Sequence, residues 1–188
     1  MSTIEIYPVP ADLLQPRIKL EVRETGSEWQ PVPVAFASSM DERPHAKGGS
    51  EGWAVLSSDV PLDIRVNVPD PVGRATLRPS MRAPIACETS DFGVTFQVEH
   101  PRHLVLEINH APISSDYRWS GAFTLYLLID PVDHDAPRPG CEGVKTLPPG
   151  YHEPEEFDPG DAHTVLLLPG VHTVEGQMVQ LHSGKTLY

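Results

Sequence analysis

Proline and glycine interrupt this chain more often than a helical fold can tolerate. The 21 prolines and 14 glycines make up about 19% of the 188 residues, compared with about 12% in ordinary proteins. Inside a helix, proline costs about 3 kcal/mol and glycine about 1 kcal/mol relative to alanine. Long helices, coiled coils and helix bundles are therefore excluded. Hydrophobic residues still account for 39% of the chain, which is enough for a folded domain with a core.

Between these interruptions, apolar and polar residues alternate. The alternation is strict in residues 18–23, 64–68 and 94–99, and a period of two is typical of a strand with one buried face and one face in water. Residues 103–109 and 123–130 are more apolar and are predicted to be central strands. Because turn-forming residues separate these segments, the sequence predicts an all-β fold built as an antiparallel β-sandwich.

The pattern changes twice along the chain, which predicts three parts. Residues 1–130 form the predicted sandwich. Residues 131–163 carry seven prolines and an excess of acids, and are predicted to be a surface connection. In residues 164–188, strands of about four residues alternate with tight turns, which is typical of the first coil of a parallel β-helix. One coil cannot bury its own inner face, so the sequence predicts a solenoid that is truncated at residue 188.

The charge of the chain limits its partners. The net charge of −12 argues against nucleic acid and anionic membranes, because a negative field repels phosphate groups. No run of 18 apolar residues exists, so no transmembrane helix is predicted. Residues 1–5 lack the basic and apolar regions of a secretory signal. The sequence therefore predicts a cytoplasmic protein, or an extracellular one if a leader has been removed.

Nine histidines raise the question of a metal site. His152 is followed closely by three acids, but Pro154 disfavours the helix that would bring His152 and Glu156 to one face. Three other histidines are predicted to be surface residues in loops or near turns: His134, His172 and His182. No metal and no cofactor is predicted.

The two cysteines, Cys87 and Cys141, are far apart in the sequence, and neither belongs to a C-x-x-C pair. Zinc binding and thiol redox chemistry are therefore unsupported. Two free thiols are favoured, and a single disulfide stays open as the alternative.

Tyr117, Arg118 and Trp119 are the candidates for substrate binding. They cluster just before the predicted strand at 123–130, where an exposed aromatic ring can stack on a sugar. The competing interpretation is that the aromatic residues cover the core. No pair of carboxylates can be singled out for the opposed geometry that glycoside hydrolysis requires, so no catalytic residue is predicted.

Three stretches resemble a known group of enzymes. These are residues 96–109 (FQVEHPRHLVLEIN), 125–137 (LYLLIDPVDHDAP) and 165–188 (VLLLPGVHTVEGQMVQLHSGKTLY). The first two look like the last strands of a leading sandwich, and the third looks like an opening β-helix coil. Together they resemble the N-terminal region of polysaccharide-degrading β-helix enzymes, either dextranase-like (glycoside hydrolase family 49) or polygalacturonase-like (family 28). Residues 1–95 match these enzymes only in the general pattern of short strands and turns.

The resemblance implies an antiparallel β-sandwich followed by the first coil of a right-handed parallel β-helix. It implies an accessory role in an enzyme that hydrolyses O-glycosyl bonds, and a polysaccharide or oligosaccharide bound through the β-helix domain. In these families the catalytic aspartates lie in middle coils, which would fall beyond residue 188. No catalytic residue is therefore carried over to this chain.

Three alternatives stay open at the level of sequence. The chain is a carbohydrate-binding module, with Trp53 or Trp119 as the stacking platform. Or it is a non-catalytic small subunit that completes a separately encoded β-helix enzyme, or that forms a homo-oligomer. Or it is a complete metal-dependent enzyme that uses the region around His152.

Overall fold

The computed structural model describes residues 4–36, 51–79, 85–109, 122–174 and 179–188. The described residues form strands and two short 3-10 helices, with no α-helix among them. They confirm the all-β prediction. None of the described helices is long and apolar enough to cross a membrane. The chain divides into two compact units, Met1–Val132 and Asp133–Tyr188.

The described residues of the first unit form eleven strands in two sheets. The strands are β1 (Ile4–Ile6), β2 (Lys19–Glu24), β3 (Gln30–Val32), β4 (Ala35–Phe36), β5 (Glu51–Ser58), β6 (Leu62–Asn67), β7 (Ala75–Arg78), β8 (Cys87–Ser90), β9 (Gly93–Val98), β10 (Arg102–Ile108) and β11 (Phe123–Asp130). The first sheet has the order β1-β5-β11-β10-β7, with β4 also paired to β5. The second sheet has the order β3-β2-β6-β9-β8.

The predicted alternation along the strands is confirmed. In β6, for example, Ile64 and Val66 are fully buried, whereas Arg65 between them is only partly buried. The five segments predicted as strands correspond to β2, β6, β9, β10 and β11. Buried residues from both sheets belong to one hydrophobic cluster. Because successive side chains point to opposite faces, the polar positions of the same strands lie on the outer faces.

The prediction of purely antiparallel pairing was wrong for one central pair. β5 and β11 are parallel, and their register runs from Glu51↔Thr124 to Ser57↔Asp130. The other strand pairs of this unit are antiparallel. Antiparallel neighbours can be joined by a short hairpin, but the chain passes from β5 into the second sheet and reaches β11 only after five more strands. No hairpin therefore sets the direction of this pair.

The second unit is built from parallel strands. They are β12 (Val144–Leu147), β13 (Gly150–His152), β14 (Thr164–Leu167), β15 (His172–Val174) and β16 (Thr186–Leu187). β12, β14 and β16 form one parallel ladder, and β13 and β15 form another. Val144 pairs with Thr164, and Thr164 pairs with Thr186, so successive strands are offset by nearly equal lengths of chain. A repeated parallel offset of this kind is a property of stacked coils.

The segment 131–163 differs from the connection that the sequence predicted. It contains β12, β13 and a 3-10 helix (Pro154–Phe157). Its prolines stand between these elements or begin them, so their number reflects turns and not an absence of strands. Within the stretch 164–188, where the sequence predicts short strands, residues 179–181 do not form one.

A small apolar cluster lies inside the second unit. Leu147, Phe157 and Val165 are its buried members, and they come from β12, the 3-10 helix and β14. Two parallel strands and the 3-10 helix between them therefore share one apolar cluster. Cys141 in this unit and Cys87 in the first are both free thiols, as the spacing of the cysteines favoured.

Neighbouring leucines of β11 test the two faces of the first sheet. Leu127 is 1% exposed and belongs to the core, whereas Leu128 is half-buried. We expect Leu127→Ala to lower the free energy of unfolding by about 2–5 kcal/mol, because it leaves a cavity. Leu128→Ala should cost clearly less. Urea denaturation of both variants measures this, and equal losses would contradict the assigned faces.

Two glycines test the stacking of the coils. Gly150 and Gly170 have φ values of +145° and +146°. Residues other than glycine rarely adopt this backbone conformation. A Cβ on Gly170 would overlap the ring of Pro149, whereas a Cβ on Gly150 would meet nothing within 4 Å. We expect both alanine variants to be destabilised by about 1–3 kcal/mol through the backbone, and Gly170→Ala to lose more. Thermal unfolding followed by circular dichroism compares them, and a larger loss for Gly150→Ala would contradict this packing.

Candidate functional site

An open cleft of about 950 Å³ lies against the second sheet of the first unit. Its lining comes from β2, β6, β8 and β9, from the segment before β8, from the turn between β9 and β10 and the first residue of β10, and from Trp29 in the segment before β3. Pockets of about 300–1,000 Å³ with a few convergent polar groups are typical of ligand-binding sites. The cleft is therefore the first candidate for a functional site.

Three polar side chains meet on adjacent strands at this cleft. Arg23 of β2 is the register partner of Asp63 in β6, and Asp63 is the partner of Gln97 in β9. Asp63 accepts hydrogen bonds from Arg23 Nε at 3.0 Å, from Gln97 Nε2 at 2.7 Å and from Thr25 Oγ1 at 3.2 Å. We refer to Arg23, Thr25, Asp63 and Gln97 as the Asp63 network.

The Asp63 network keeps its carboxylate ionised. Burial by itself raises the pKa of Asp63, because it disfavours the charged form. The hydrogen bonds from Gln97, Arg23 and Thr25 and the positive charge of Arg23 outweigh this effect. The pKa of Asp63 therefore lies below its ordinary value, and the network holds a fixed negative charge beside a fixed positive one.

Trp29 is held over the same sheet by two arginines. The guanidinium carbons of Arg23 and Arg65 each lie 4.4 Å from the centroid of the indole ring, well within the range of a cation–π interaction. Arg65 is itself paired with Glu21, with Nη2 and Oε2 2.8 Å apart. These contacts set the position of a partly buried indole at the edge of the cleft.

The charges that line the cleft are close to balanced. Arg23 and Arg102 are opposed by Asp63, Glu88 and Glu99. Arg23 and Asp63 already neutralise each other through their ion pair. A site of this composition does not have the cluster of arginines that recognises phosphate groups.

The outer face of the first sheet carries a second group of aromatic residues. Trp53 of β5 and Tyr126 of β11 are register partners on parallel strands, and they are 43% and 40% exposed. On the same sheet, His103 Nε2 lies 2.8 Å from Asp130 Oδ1. Trp53 was one of the two tryptophans considered as a stacking platform, and the structure pairs it with a tyrosine that sequence reasoning did not connect with it.

The other predicted site residues have different outcomes. Tyr117, Arg118 and Trp119 lie outside the described residues. His134 and His182 are exposed, as predicted. Among the described residues, no group of three or more histidines, cysteines or acids could hold a metal ion.

His152 and Glu156 come closer together than the sequence predicted. Pro154 begins a 3-10 helix, and proline is tolerated at the first position of a helix. His152 Nδ1 consequently lies 3.6 Å from Glu156 Oε2. The imidazole is buried, with 4% exposure, and it stacks on that of His172, with centroids 5.2 Å apart. His172, which the sequence predicts as a surface residue, is half-buried and packs against His152.

These two histidines reveal a repeat that was missed in the sequence. The segment 149–152 (PGYH) recurs with one change at 169–172 (PGVH). In each segment the Nε2 of the histidine contacts the carbonyl oxygen four residues earlier, at 2.9 Å for Pro148 and 2.8 Å for Leu168. The repeat of these four residues is the sequence signal that links the segment 131–163 with the strands after residue 163.

Comparison with known proteins supports the fold. No protein-family model and no curated protein matches the sequence. Among solved structures, the chain is similar to the dextranase Dex49A from Penicillium minioluteum, a parallel β-helix enzyme of glycoside hydrolase family 49. The TM-score is 0.60 at 16% identity, and the match covers 98% of this chain and 40% of Dex49A. The chain thus spans well under half the length of that enzyme, and the similarity shows a related fold.

The Asp63 network predicts a dependence of stability on pH. Because the pKa of Asp63 is lower in the folded state than its unfolded value of about 3.9, its stabilisation is present above about pH 4 and is lost as the pH falls through the folded pKa. We expect Asp63→Asn to lower the free energy of unfolding by about 1 kcal/mol at pH 7, and by less at pH 3.

Urea denaturation of the wild type and Asp63→Asn at both pH values measures this difference. Glu28→Gln is the matched control, since Glu28 is exposed and lies outside the Asp63 network. An equal loss for Asp63→Asn at pH 7 and pH 3 would contradict the role assigned to the carboxylate.

Proposed function

We propose that this chain is the accessory N-terminal region of a polysaccharide-degrading glycoside hydrolase. In this proposal the first unit is a β-sandwich, and the second unit contains the opening coils of a right-handed parallel β-helix. The enzyme hydrolyses O-glycosyl bonds with catalytic acids that follow residue 188. The observation that carries the proposal is the parallel ladder of β12, β14 and β16, whose register joins Val144 to Thr164 and Thr164 to Thr186.

The ladder supports this role because it is the start of a structure that continues by repetition. β14 is paired on both sides, by β12 and β16, whereas among the described residues β16 is paired only with β14. A free strand edge carries unpaired N–H and C=O groups that favour a further strand. We propose that a following coil pairs there and buries Leu187, which is 39% exposed. The work of this region is then to begin and cover one end of the solenoid.

A separately encoded catalytic chain could supply the same coil. The chain would then be a non-catalytic small subunit whose β16 pairs with the partner. The free edge of β16 supports this form equally well, and native mass spectrometry separates the two. A stable complex with a second, different chain favours the subunit, and a continuous longer chain favours the single enzyme.

A carbohydrate-binding module is the second candidate function. It is favoured by the exposed Trp53 and Tyr126, which lie side by side on the first sheet. Adjacent aromatic rings on a rigid sheet form a platform on which sugar rings can stack. This function needs no further coil, so binding of a polysaccharide by residues 1–188 without any catalytic partner would favour it.

The test of the main proposal is to read the coding DNA beyond codon 188 and to assay the whole protein that it encodes. We expect the reading frame to continue with strand–turn units at a similar offset. The whole protein should release reducing ends from a polysaccharide, and residues 1–188 alone should release none. A stop codon directly after Tyr188, together with a monomer in native mass spectrometry and no copurifying chain, would contradict the proposal.

A further inference from the structure

We infer that the cleft on the second sheet binds an uncharged oligosaccharide, with Trp29 as the aromatic contact and the Asp63 network as the source of hydrogen bonds. The polysaccharide class rests on the proposed function, but the site itself stands on the residues of the first unit. The cleft is distinct from the surface of Trp53 and Tyr126, because neither of these residues lines it.

The shape of the cleft fits an extended ligand. Its volume is about 950 Å³ and it is open to solvent, so it can accept several units of a chain whose ends continue outside. Its polar side chains Arg23, Asp63 and Gln97 project from adjacent paired strands, β2, β6 and β9. Polar groups held on paired strands keep their geometry, which reduces the entropy lost on binding.

The chemistry of the network suits vicinal hydroxyl groups. Guanidinium, carboxylate and amide groups are planar, and each can donate or accept hydrogen bonds in pairs. Arg23, Asp63 and Gln97 place one of each type in a single row across three strands. Arg23 contacts Asp63 through Nε, and a guanidinium carries five N–H donors in all. The row is therefore equipped for a ligand with alternating donors and acceptors.

The charge of the site favours an uncharged ligand over an acidic one. Two arginines are opposed by three carboxylates in the lining, and the whole chain carries a net charge of −12. A polyanion such as polygalacturonate would be repelled by this field. A neutral glucan has no such cost. Between a neutral glucan and an acidic polygalacturonate, the charge of the cleft therefore favours the neutral glucan.

Trp29 completes the site because its ring is held in place. Two guanidinium groups lie 4.4 Å from the ring centroid, and Trp29 lines the cleft together with Arg23 and Asp63. An indole that is already ordered loses little freedom when a sugar ring packs against it. Aromatic side chains of this kind supply a large contact area for a polyhydroxylated ligand with an apolar ring face.

Isothermal titration calorimetry of residues 1–188 tests the inference. The probes are isomaltohexaose and cellohexaose as neutral ligands, and hexagalacturonate as the acidic control. We expect one or both neutral hexasaccharides to bind, and hexagalacturonate to bind at least about tenfold more weakly. Trp29→Ala and Gln97→Ala should each weaken binding by about tenfold. Phe92→Ala is the matched control, because Phe92 is an exposed aromatic residue of the same unit that does not line the cleft, and it should leave the affinity unchanged. Trp53→Ala is a separate variant that tests the surface of the first sheet.

Three results would overturn the inference. The first is no binding of either neutral hexasaccharide by the wild type. The second is loss of binding in Trp53→Ala but not in Trp29→Ala, which would place the site on the first sheet. The third is equal or tighter binding of hexagalacturonate. Circular dichroism checks that each variant folds, and if Trp29→Ala does not, Gln97→Ala decides the outcome.

The binding measurement on the cleft tests the inference independently of the main proposal. Binding is measured on this chain alone, so a cleft that binds no sugar leaves the parallel ladder and the accessory role intact. Conversely, a stop codon after Tyr188 would overturn the accessory role and leave a measured affinity unchanged.

Discussion

Burial of the apolar faces of two sheets against each other is the constraint on which the first unit depends. Since side chains alternate along a strand, burial of Ile64 and Val66 directs Asp63 and Arg65 to the other face. The same rule directs Arg23 and Gln97 outward on the neighbouring strands. The Asp63 network therefore follows from core packing, because the register that aligns the buried residues also aligns the polar ones. The aromatic surface of the first sheet has the same origin.

The second unit depends on a different constraint, the parallel pairing of short strands at a repeated offset. A strand in this unit is too short to bury a core by itself, and its apolar residues are covered by side chains of the neighbouring elements. The turns repeat accordingly. Gly150 and Gly170 share one unusual backbone conformation, and His152 and His172 each bind the carbonyl oxygen four residues before them. The similarity to a β-helix dextranase supports a related fold.

The candidate site shows where reasoning from the sequence reached its limit. The sequence predicts a cluster of Tyr117, Arg118 and Trp119 because they are neighbours in the chain. The residues of the cleft are not neighbours: Arg23, Asp63 and Gln97 belong to three separate strands, and each by itself resembles an ordinary solvated position. Only the register of those strands brings them together. His152 and Glu156 were separated in the sequence interpretation by Pro154, although a 3-10 helix that begins at a proline brings them close.

The sequence by itself determined the local properties of this protein. The prolines and glycines excluded long helices, and the period of two identified β2, β6, β9 and their buried faces, because both effects act within a few residues of the backbone. The tertiary structure decided which strands are neighbours. It made β5 and β11 parallel, placed β12, β13 and a 3-10 helix in the segment 131–163, and assembled the cleft. Strand pairing joins residues far apart in the chain, and its direction and register depend on the fit of whole sheets and not on local pattern.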